Sequence, residues 1–333
     1  MSVLCSRQIR LKTRPAGIPA ADHFELVECD MPAPGIGEIL CKTLYLSLDP
    51  YMRGQISGRH ISGTIDPGDL MRGETVSEVV VSNSPDFEAG ELVCHYGGWQ
   101  TYSLTTAEGV SRVDARLRPA SLALGIMGMP GLTAYAGLFY LAEVKPRDVV
   151  LVSAASGAVG SLVGQMAKIQ GCRVIGIAGS EEKCAWLRQV AGFDGCINYK
   201  TQPLSDALRQ ECPDGVDVYF DNVGGAILDA AMDQLAIGAR VVLCGLMAQY
   251  NTDNVLPGPT PATIIRSRAT VRGLVVYDHF DKQQEFLDRV LPWLEAGKIK
   301  YREDVSCGLA QAPAAFARLM QGRNFGKTII KVA

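Results

Sequence analysis

Apolar and polar positions change rhythm once along the chain. Up to about residue 120, short apolar runs stand between turn markers. Glu38-Ile39-Leu40-Cys41-Lys42-Thr43-Leu44 and Glu78-Val79-Val80-Val81 are such runs, and Pro32, Pro34, Gly35, Gly37, Pro67-Gly68 and Gly97-Gly98 punctuate them. No helical spacing of useful length occurs there. The pattern predicts a strand-rich, barrel-like module.

From Ser121 onward, stripes of helical period alternate with short apolar runs. The runs are Val149–Val152, Val174–Ile177, Val216–Phe220, Val241–Cys244 and Leu274-Val275-Val276, with Cys196-Ile197-Asn198-Tyr199 as a weaker sixth. A parallel sheet requires this alternation, because each crossover must carry the chain back over the sheet face. The prediction is an α/β chain whose doubly wound, parallel-sheet domain spans 123–291. Phe286, Leu287, Val290 and Leu291, then Thr328-Ile329-Ile330, predict a helix and a final strand able to rejoin the first module, giving 1–122 with 292–333 as the other domain.

Composition narrows the function classes. The chain has 333 residues, a size that suits two domains, and 47% hydrophobic residues, enough to fill two cores. With 32 basic and 35 acidic residues the net charge is −3, which offers no excess of cations to a nucleic acid. The gaps between charges at Arg118–Glu143 and Asp148–Lys168 approach membrane-spanning length. Pro130 and four glycines break the first, however, and the second changes period at Ser156-Gly157, so both read as buried elements of a soluble protein. Ten scattered cysteines without a CxxC pair argue against a zinc cage and suit free thiols in the cytoplasm. Arg7, Arg10, Lys12 and Arg14 interleave with polar residues, unlike a secretory leader.

The glycine excess finds a use after Val149–Val152. Ser153-Ala154-Ala155-Ser156-Gly157-Ala158-Val159-Gly160 leads into a helical stripe of Val159, Leu162, Val163, Met166 and Ile169. A strand, a glycine turn and a helix let the backbone approach a pyrophosphate, and the helix start offers free N–H groups to the anion. AxxGxxG is a less specific pattern than GxGxxG. The next strand carries more weight. An NAD-selective fold places an acid there to hold the ribose 2′-OH, whereas this chain has Ala178-Gly179-Ser180. Glycine leaves room for a 2′-phosphate, Ser180 can donate a hydrogen bond and Lys183 can supply charge. Glu181 and Glu182 argue mildly the other way unless they serve as first-turn acids. NADPH is the expected cofactor.

Further motifs extend the pattern along the chain: Leu48-Asp49-Pro50-Tyr51-Met52-Arg53-Gly54, Gly128-Met129-Pro130-Gly131-Leu132-Thr133-Ala134-Tyr135, Phe220-Asp221-Asn222-Val223-Gly224-Gly225 and Asn324-Phe325-Gly326-Lys327-Thr328. In this order they resemble the zinc-independent medium-chain dehydrogenase/reductases, in the branch of leukotriene 12-hydroxydehydrogenase/prostaglandin reductases, alkenal double-bond reductases and curcumin reductases. The resemblance implies a GroES-like catalytic domain beside a Rossmann domain, with the cofactor in the cleft between them. It implies that Ser156, Gly157, Ala158, Val159 and Gly160 follow the pyrophosphate, and that Gly179, Ser180, Lys183 and Tyr199 hold the 2′-phosphate end. Asn222 and the loop Cys244, Gly245, Leu246 to Tyr250 would border the ribose and nicotinamide. Met129, Thr133, the backbone at Leu274, Val275 and Val276, and Asn324 would complete the nicotinamide pocket. Plainer readings stay open, with Lys183 as a solvated helix residue and Asn222 as a helix cap.

Zinc enzymes of this superfamily place a Cys and the His of a Gly-His-Glu segment where this chain has Leu46-Ser47-Leu48-Asp49 and Arg72-Gly73-Glu74. Metal-free reduction of an activated double bond is therefore the expected reaction, since the carbonyl of an enone already makes its β-carbon electrophilic. Tyr250 is the first candidate for hydrogen bonding the enolate oxygen and Tyr51 the second. A phenol with a pKa of about 10 donates at neutral pH without tuning. Quinone reduction and non-catalytic NADPH binding are the competing functions. Tyr277-Asp278-His279 would line either the pocket or a subunit contact. The loops Gln55–Asp66 and Met247–Pro261 would shape the substrate pocket. The exposed edge Thr270–Val276 predicts a homodimer.

Overall fold

A computed structural model describes residues 4–252, 254 and 257–333. Along the chain the strands are β1 (Leu4–Leu11), β2 (Phe24–Met31), β3 (Glu38–Ser47), β4 (Thr75–Ser82), β5 (Leu92–His95), β6 (Tyr102–Thr106), β7 (Ser111–Arg112), β8 (Val149–Val152), β9 (Arg173–Ala178), β10 (Gly195–Asn198), β11 (Val216–Asp221), β12 (Leu235–Leu243), β13 (Thr270–Gly273), β14 (Glu303–Cys307) and β15 (Lys327–Lys331). The helices are α1 (Met52–Ile56), α2 (Met129–Ala136), α3 (Ala158–Ile169), α4 (Glu181–Gln189), α5 (Leu204–Glu211), α6 (Gly225–Asp233), α7 (Pro261–Ser267), α8 (Gln283–Glu295) and α9 (Ala312–Met320). The chain divides into one unit of 1–125 with 303–333 and another of 126–302.

In the first unit β1 pairs antiparallel with β2, and a seven-stranded sheet runs β14-β15-β3-β4-β5-β7 with β6 also on β3. β1 escaped prediction because only Ser6, Ile9 and Leu11 are buried along it, while basic residues take other positions. Ile39 and Cys41 of β3 face Val79, Phe87 and Val93, so alternation fixes which face of that sheet is core.

The second unit holds six parallel strands in the order β10-β9-β8-β11-β12-β13, a mixed α/β, Rossmann-type arrangement. Leu151, Ile175, Ile197, Tyr219 and Val241 from five of these strands share one core with α5 and α6. Two features differ from the sequence reading. The last strand takes only Thr270–Gly273 of the expected edge Thr270–Val276 and stops before the apolar run Leu274-Val275-Val276. Leu274 N–H still donates to Leu243 O, and Val276 then opens a 3-10 helix that carries the chain off the sheet. The helix holding Phe286 and Val290 belongs wholly to the second unit, which continues to Arg302, past the boundary expected at 292. Its apolar stripe has its partner there: the Phe286 ring lies 5.7 Å from that of Tyr135 on α2.

Among the described residues no helix is long and apolar enough to cross a membrane. Of the loop Met247–Pro261, Asp253, Val255 and Leu256 lie outside the described residues.

Candidate functional site

The turn between β8 and α3 is built around Ala154, which takes a left-handed φ of 46°. Its carbonyl accepts the Gly157 N–H at 2.9 Å. A β-carbon on Gly160 would lie 2.6 Å from Ala154 O and 2.9 Å from Ala155 Cα, both backbone atoms that cannot retreat. Only glycine lets the first turn of α3 settle on the strand end. Ser156, Ala158 and Val159 lie in the same turn and helix start, where the first amides of a helix lack intrahelical partners and its dipole end is positive, a setting suited to an anion.

The corner after β9 has its own chemistry. Ser180 caps α4, its Oγ accepting from Lys183 N at 3.3 Å. A β-carbon on Gly179 would meet Tyr199 Oη at 3.3 Å and Lys200 Cε at 3.3 Å, so a phenol and a lysine stem line the place of the missing acid. Lys200 Nζ stands 6.0 Å from the centre of the Tyr199 ring. The sequence reading missed Lys200, although it directly follows Tyr199. Glu181 and Glu182 are drawn elsewhere, the first to Arg188 at 2.5 Å and the second to Arg302 at 3.6 Å.

At the end of β11 the buried Asp221 carboxylate accepts from Ser153 Oγ at 2.8 Å, Tyr219 Oη at 2.7 Å and the Gly224 amide at 3.0 Å. Asn222 Nδ2 donates to Ser153 O at 2.8 Å, while the cap of α6 is Gly224, so Asn222 ties two strand ends together. Cys244 N–H donates to Asp221 O at 2.8 Å, and burial pushes its thiol up to about 12. Leu246 N–H donates to Tyr250 Oη at 3.4 Å, and the same oxygen lies 3.4 Å from a β-carbon built on Gly245. Burial also raises the Tyr250 phenol, which therefore keeps its proton. Thr133 Oγ1 donates to Met129 O at 2.7 Å. Leu274 is buried, while Val275 and Val276 continue from it into the 3-10 helix.

Within the second unit, the turn at Ser156–Gly160, the Gly179–Lys183 corner, Tyr199, Asn222 and the Cys244–Tyr250 loop all follow the carboxyl ends of parallel strands. That is where open α/β sheets bind ligands. Tyr51 and Asn324 belong to the first unit. Tyr51 opens α1 with its ring 5.2 Å from that of His60, whose pKa burial lowers. Asn324 Nδ2 donates to Gly326 O at 2.9 Å.

Where zinc relatives would carry a metal ligand, a β-carbon on Gly73 would meet Leu46 Cδ1 at 2.9 Å, with Met52 and Trp99 next to it. Asp49 is engaged by Lys327 Nζ at 2.5 Å, both side chains buried. Among the described residues no group of three His, Cys, Asp or Glu side chains could hold a metal ion.

Two family descriptions match the chain: N-terminal domain of oxidoreductase over residues 7–113 and zinc-binding dehydrogenase over 158–296. The chain is 40% identical to the NADPH-dependent curcumin reductase of Escherichia coli, over 98% of this chain and 97% of that protein. It belongs to the zinc-independent medium-chain dehydrogenase/reductases. Another member of the family, the NADP(+)-dependent 2-alkenal reductase of Nicotiana tabacum, is 40% identical over 98% of each chain. The structure of CurA from Vibrio vulnificus in complex with NADPH superposes with a TM-score of 0.94 at 43% identity, covering 98% of this chain and 99% of that one.

Proposed function

We propose that this protein uses NADPH to reduce the carbon–carbon double bond of α,β-unsaturated aldehydes and ketones without a metal. The observation that carries the reading is the corner after β9, where Gly179 stands in place of a ribose-binding acid and Tyr199 and Lys200 line the space. The reductase names of relatives at 40% identity over nearly the whole chain support it.

The residues fit the cofactor. Amides of Ser156 and of Ala158 to Gly160 receive the pyrophosphate, while Gly157, whose N–H is given to Ala154 O, lets the backbone come close. Ser180, Lys183, Tyr199 and Lys200 receive the 2′-phosphate, with Lys183 and Lys200 meeting its charge. Asn222 and the Cys244–Tyr250 loop border the ribose and nicotinamide. Met129, Thr133 and Leu274 to Val276 complete the second unit's side of the nicotinamide pocket. When bound, NADPH supplies the hydride that adds to the β-carbon of the enone.

The protein's task is then to hold the substrate carbonyl and to meet the charge that develops on its oxygen. Tyr250 donates its O–H to that oxygen, with Tyr51 as the second candidate. The raised pKa of Tyr250 keeps this donor protonated. The α-carbon takes its proton from water or through the phenol. No cation is needed beside Asp49, because Lys327 already holds it.

β13 ends the sheet order with all four of its residues exposed, which supports a homodimer paired along that edge. A purely monomeric mass at micromolar concentration would rule the dimer out. Ten free thiols suit the cytoplasm.

The deciding experiment follows cofactor oxidation across a panel of alkenals, enones and quinones, with NADPH and NADH in parallel. Turnover of alkenals and enones with NADPH strongly favoured is the expected result. Preference for NADH, or turnover confined to quinones, would overturn the reading.

A further inference from the structure

Two thiols that the reduction chemistry does not use lie in contact in the second unit. Cys184 stands on α4 and Cys196 on β10; both are buried, and Cys196 donates its S–H to Cys184 Sγ at 2.9 Å. A disulfide places its sulfurs about 2.05 Å apart, so closure asks for a movement of roughly 1 Å.

The surroundings favour one thiol as the nucleophile. The hydrogen bond from Cys196, aided by the Arg188 guanidinium, lowers the Cys184 pKa against the opposing effects of burial and the Glu181 carboxylate. Arg188, one turn further along α4, also reaches Cys196 O with Nη1 at 3.4 Å and so braces the strand against the helix. Thiolate character of this kind marks the reactive partner of a pair.

The position of the pair gives it a consequence. α4 opens with Ser180 as cap, and Lys183 directly precedes Cys184. β10 runs from Cys196 through Asn198 into Tyr199 and Lys200. A bond between the two sulfurs would therefore draw together the two elements that carry the corner around Gly179.

We propose that Cys184 and Cys196 form a reversible disulfide under hydrogen peroxide, and that this bond weakens the corner's hold on a 2′-phosphate. The Cys184 thiolate attacks one peroxide oxygen. An S–O bond forms, the O–O bond breaks, and the departing hydroxide takes up a proton as water. The Cys196 sulfur then displaces the second oxygen, which leaves as water with the remaining proton. In balance, two thiols give up two electrons and two protons, and peroxide becomes two waters. Peroxide is scarcely larger than water and reaches a buried thiol through local opening at the end of the helix. A dithiol reductant reverses the bond.

The second half of the proposal rests on the NADPH reading above, and the test separates the two. The full chain is treated with peroxide, alkylated, digested without reduction and examined by mass spectrometry. A linked Cys184–Cys196 peptide, lighter by two hydrogens and absent from Cys184→Ser and Cys196→Ser, is expected. NADPH and NADH binding are then measured on reduced, oxidised and re-reduced protein. Oxidation should weaken NADPH by at least about threefold, through displaced charge contacts to the phosphate, and leave NADH unchanged. Recovery of both cysteines alkylated would overturn the bond. A linked peptide with unchanged NADPH affinity would overturn the coupling. Reduced protein that prefers NADH would overturn the cofactor reading and the coupling, while a linked peptide would still uphold the disulfide.

Discussion

Tyr250 turns its hydroxyl back onto the start of its own loop, where the Leu246 amide donates to it at 3.4 Å. Such a contact uses a lone pair and leaves the O–H proton available to a substrate oxygen. Tyr250→Phe should therefore lower enone turnover several-fold and leave the NADPH dissociation constant nearly unchanged. Burial raises this phenol, so the protonated donor persists to higher pH than in a free tyrosine. The alkaline fall in turnover should then lie above about pH 10, and a limb well below that value in a kcat–pH profile would remove Tyr250 from the role. At Gly179 the argument concerns charge. Gly179→Asp puts a carboxylate against Tyr199 and Lys200, where it repels a 2′-phosphate and can accept from a ribose hydroxyl. NADPH affinity should fall by roughly tenfold or more relative to NADH, which paired titrations would read directly.

Elements of the second unit depend on glycines at which a methyl has no room. A β-carbon on Gly164 of α3 would sit 2.0 Å from Phe193 Cζ, inside a packed core. Gly164→Ala should cost about 1–3 kcal/mol through overpacking and lower the melting temperature. Gly160→Ala, by contrast, drives the helix off the backbone of Ala154 and Ala155; calorimetry and cofactor titration together should find binding lost there and retained in Gly164→Ala. These glycines also mark what could be read in the sequence. Buried parallel strands such as Val149–Val152 are continuous apolar runs and announce themselves. β1 and β2 expose much of their length and carry charges there, and β14 sets its lone Val305 among Glu303, Asp304 and Ser306, so no run betrays them. Leu274-Val275-Val276 looked like a strand because apolar content fixes burial more firmly than register, and the pairing residues lie just before it. Most of the proposed cofactor residues were legible as motifs. Lys200 was not, because only the fold turns its stem toward Gly179.

Across the molecule, the buried His95 and the half-buried Glu74 of the first unit set opposing responses to pH. Burial lowers His95 to about 4 and raises Glu74 to about 7. Unfolded His95 would take a proton below about pH 6.5 that the folded state refuses until about 4, so its contribution to stability is lost as pH falls through that window. Folded Glu74 keeps a proton that the unfolded chain releases above about 4.3, so its contribution is lost as pH rises toward 7. Each effect amounts to about 3 kcal/mol, and between roughly pH 4.5 and 6.5 they largely offset one another. Glu74→Gln should gain stability relative to the parent as pH climbs from about 4.5 to 7, which melting curves at a series of pH values would check. A constant difference would show that Glu74 does not titrate in that range.

The pairing of β15 with β3 joins Ile329 to Ser47. A ribosome adding about 5–20 residues per second needs roughly 15–60 s to travel from one to the other. The whole of 126–302 emerges during that interval. The nascent polypeptide thus owns a finished second unit while the Tyr45–Ser47 end of β3 still waits for its neighbour, and it is in this window that a holding chaperone would have most to protect.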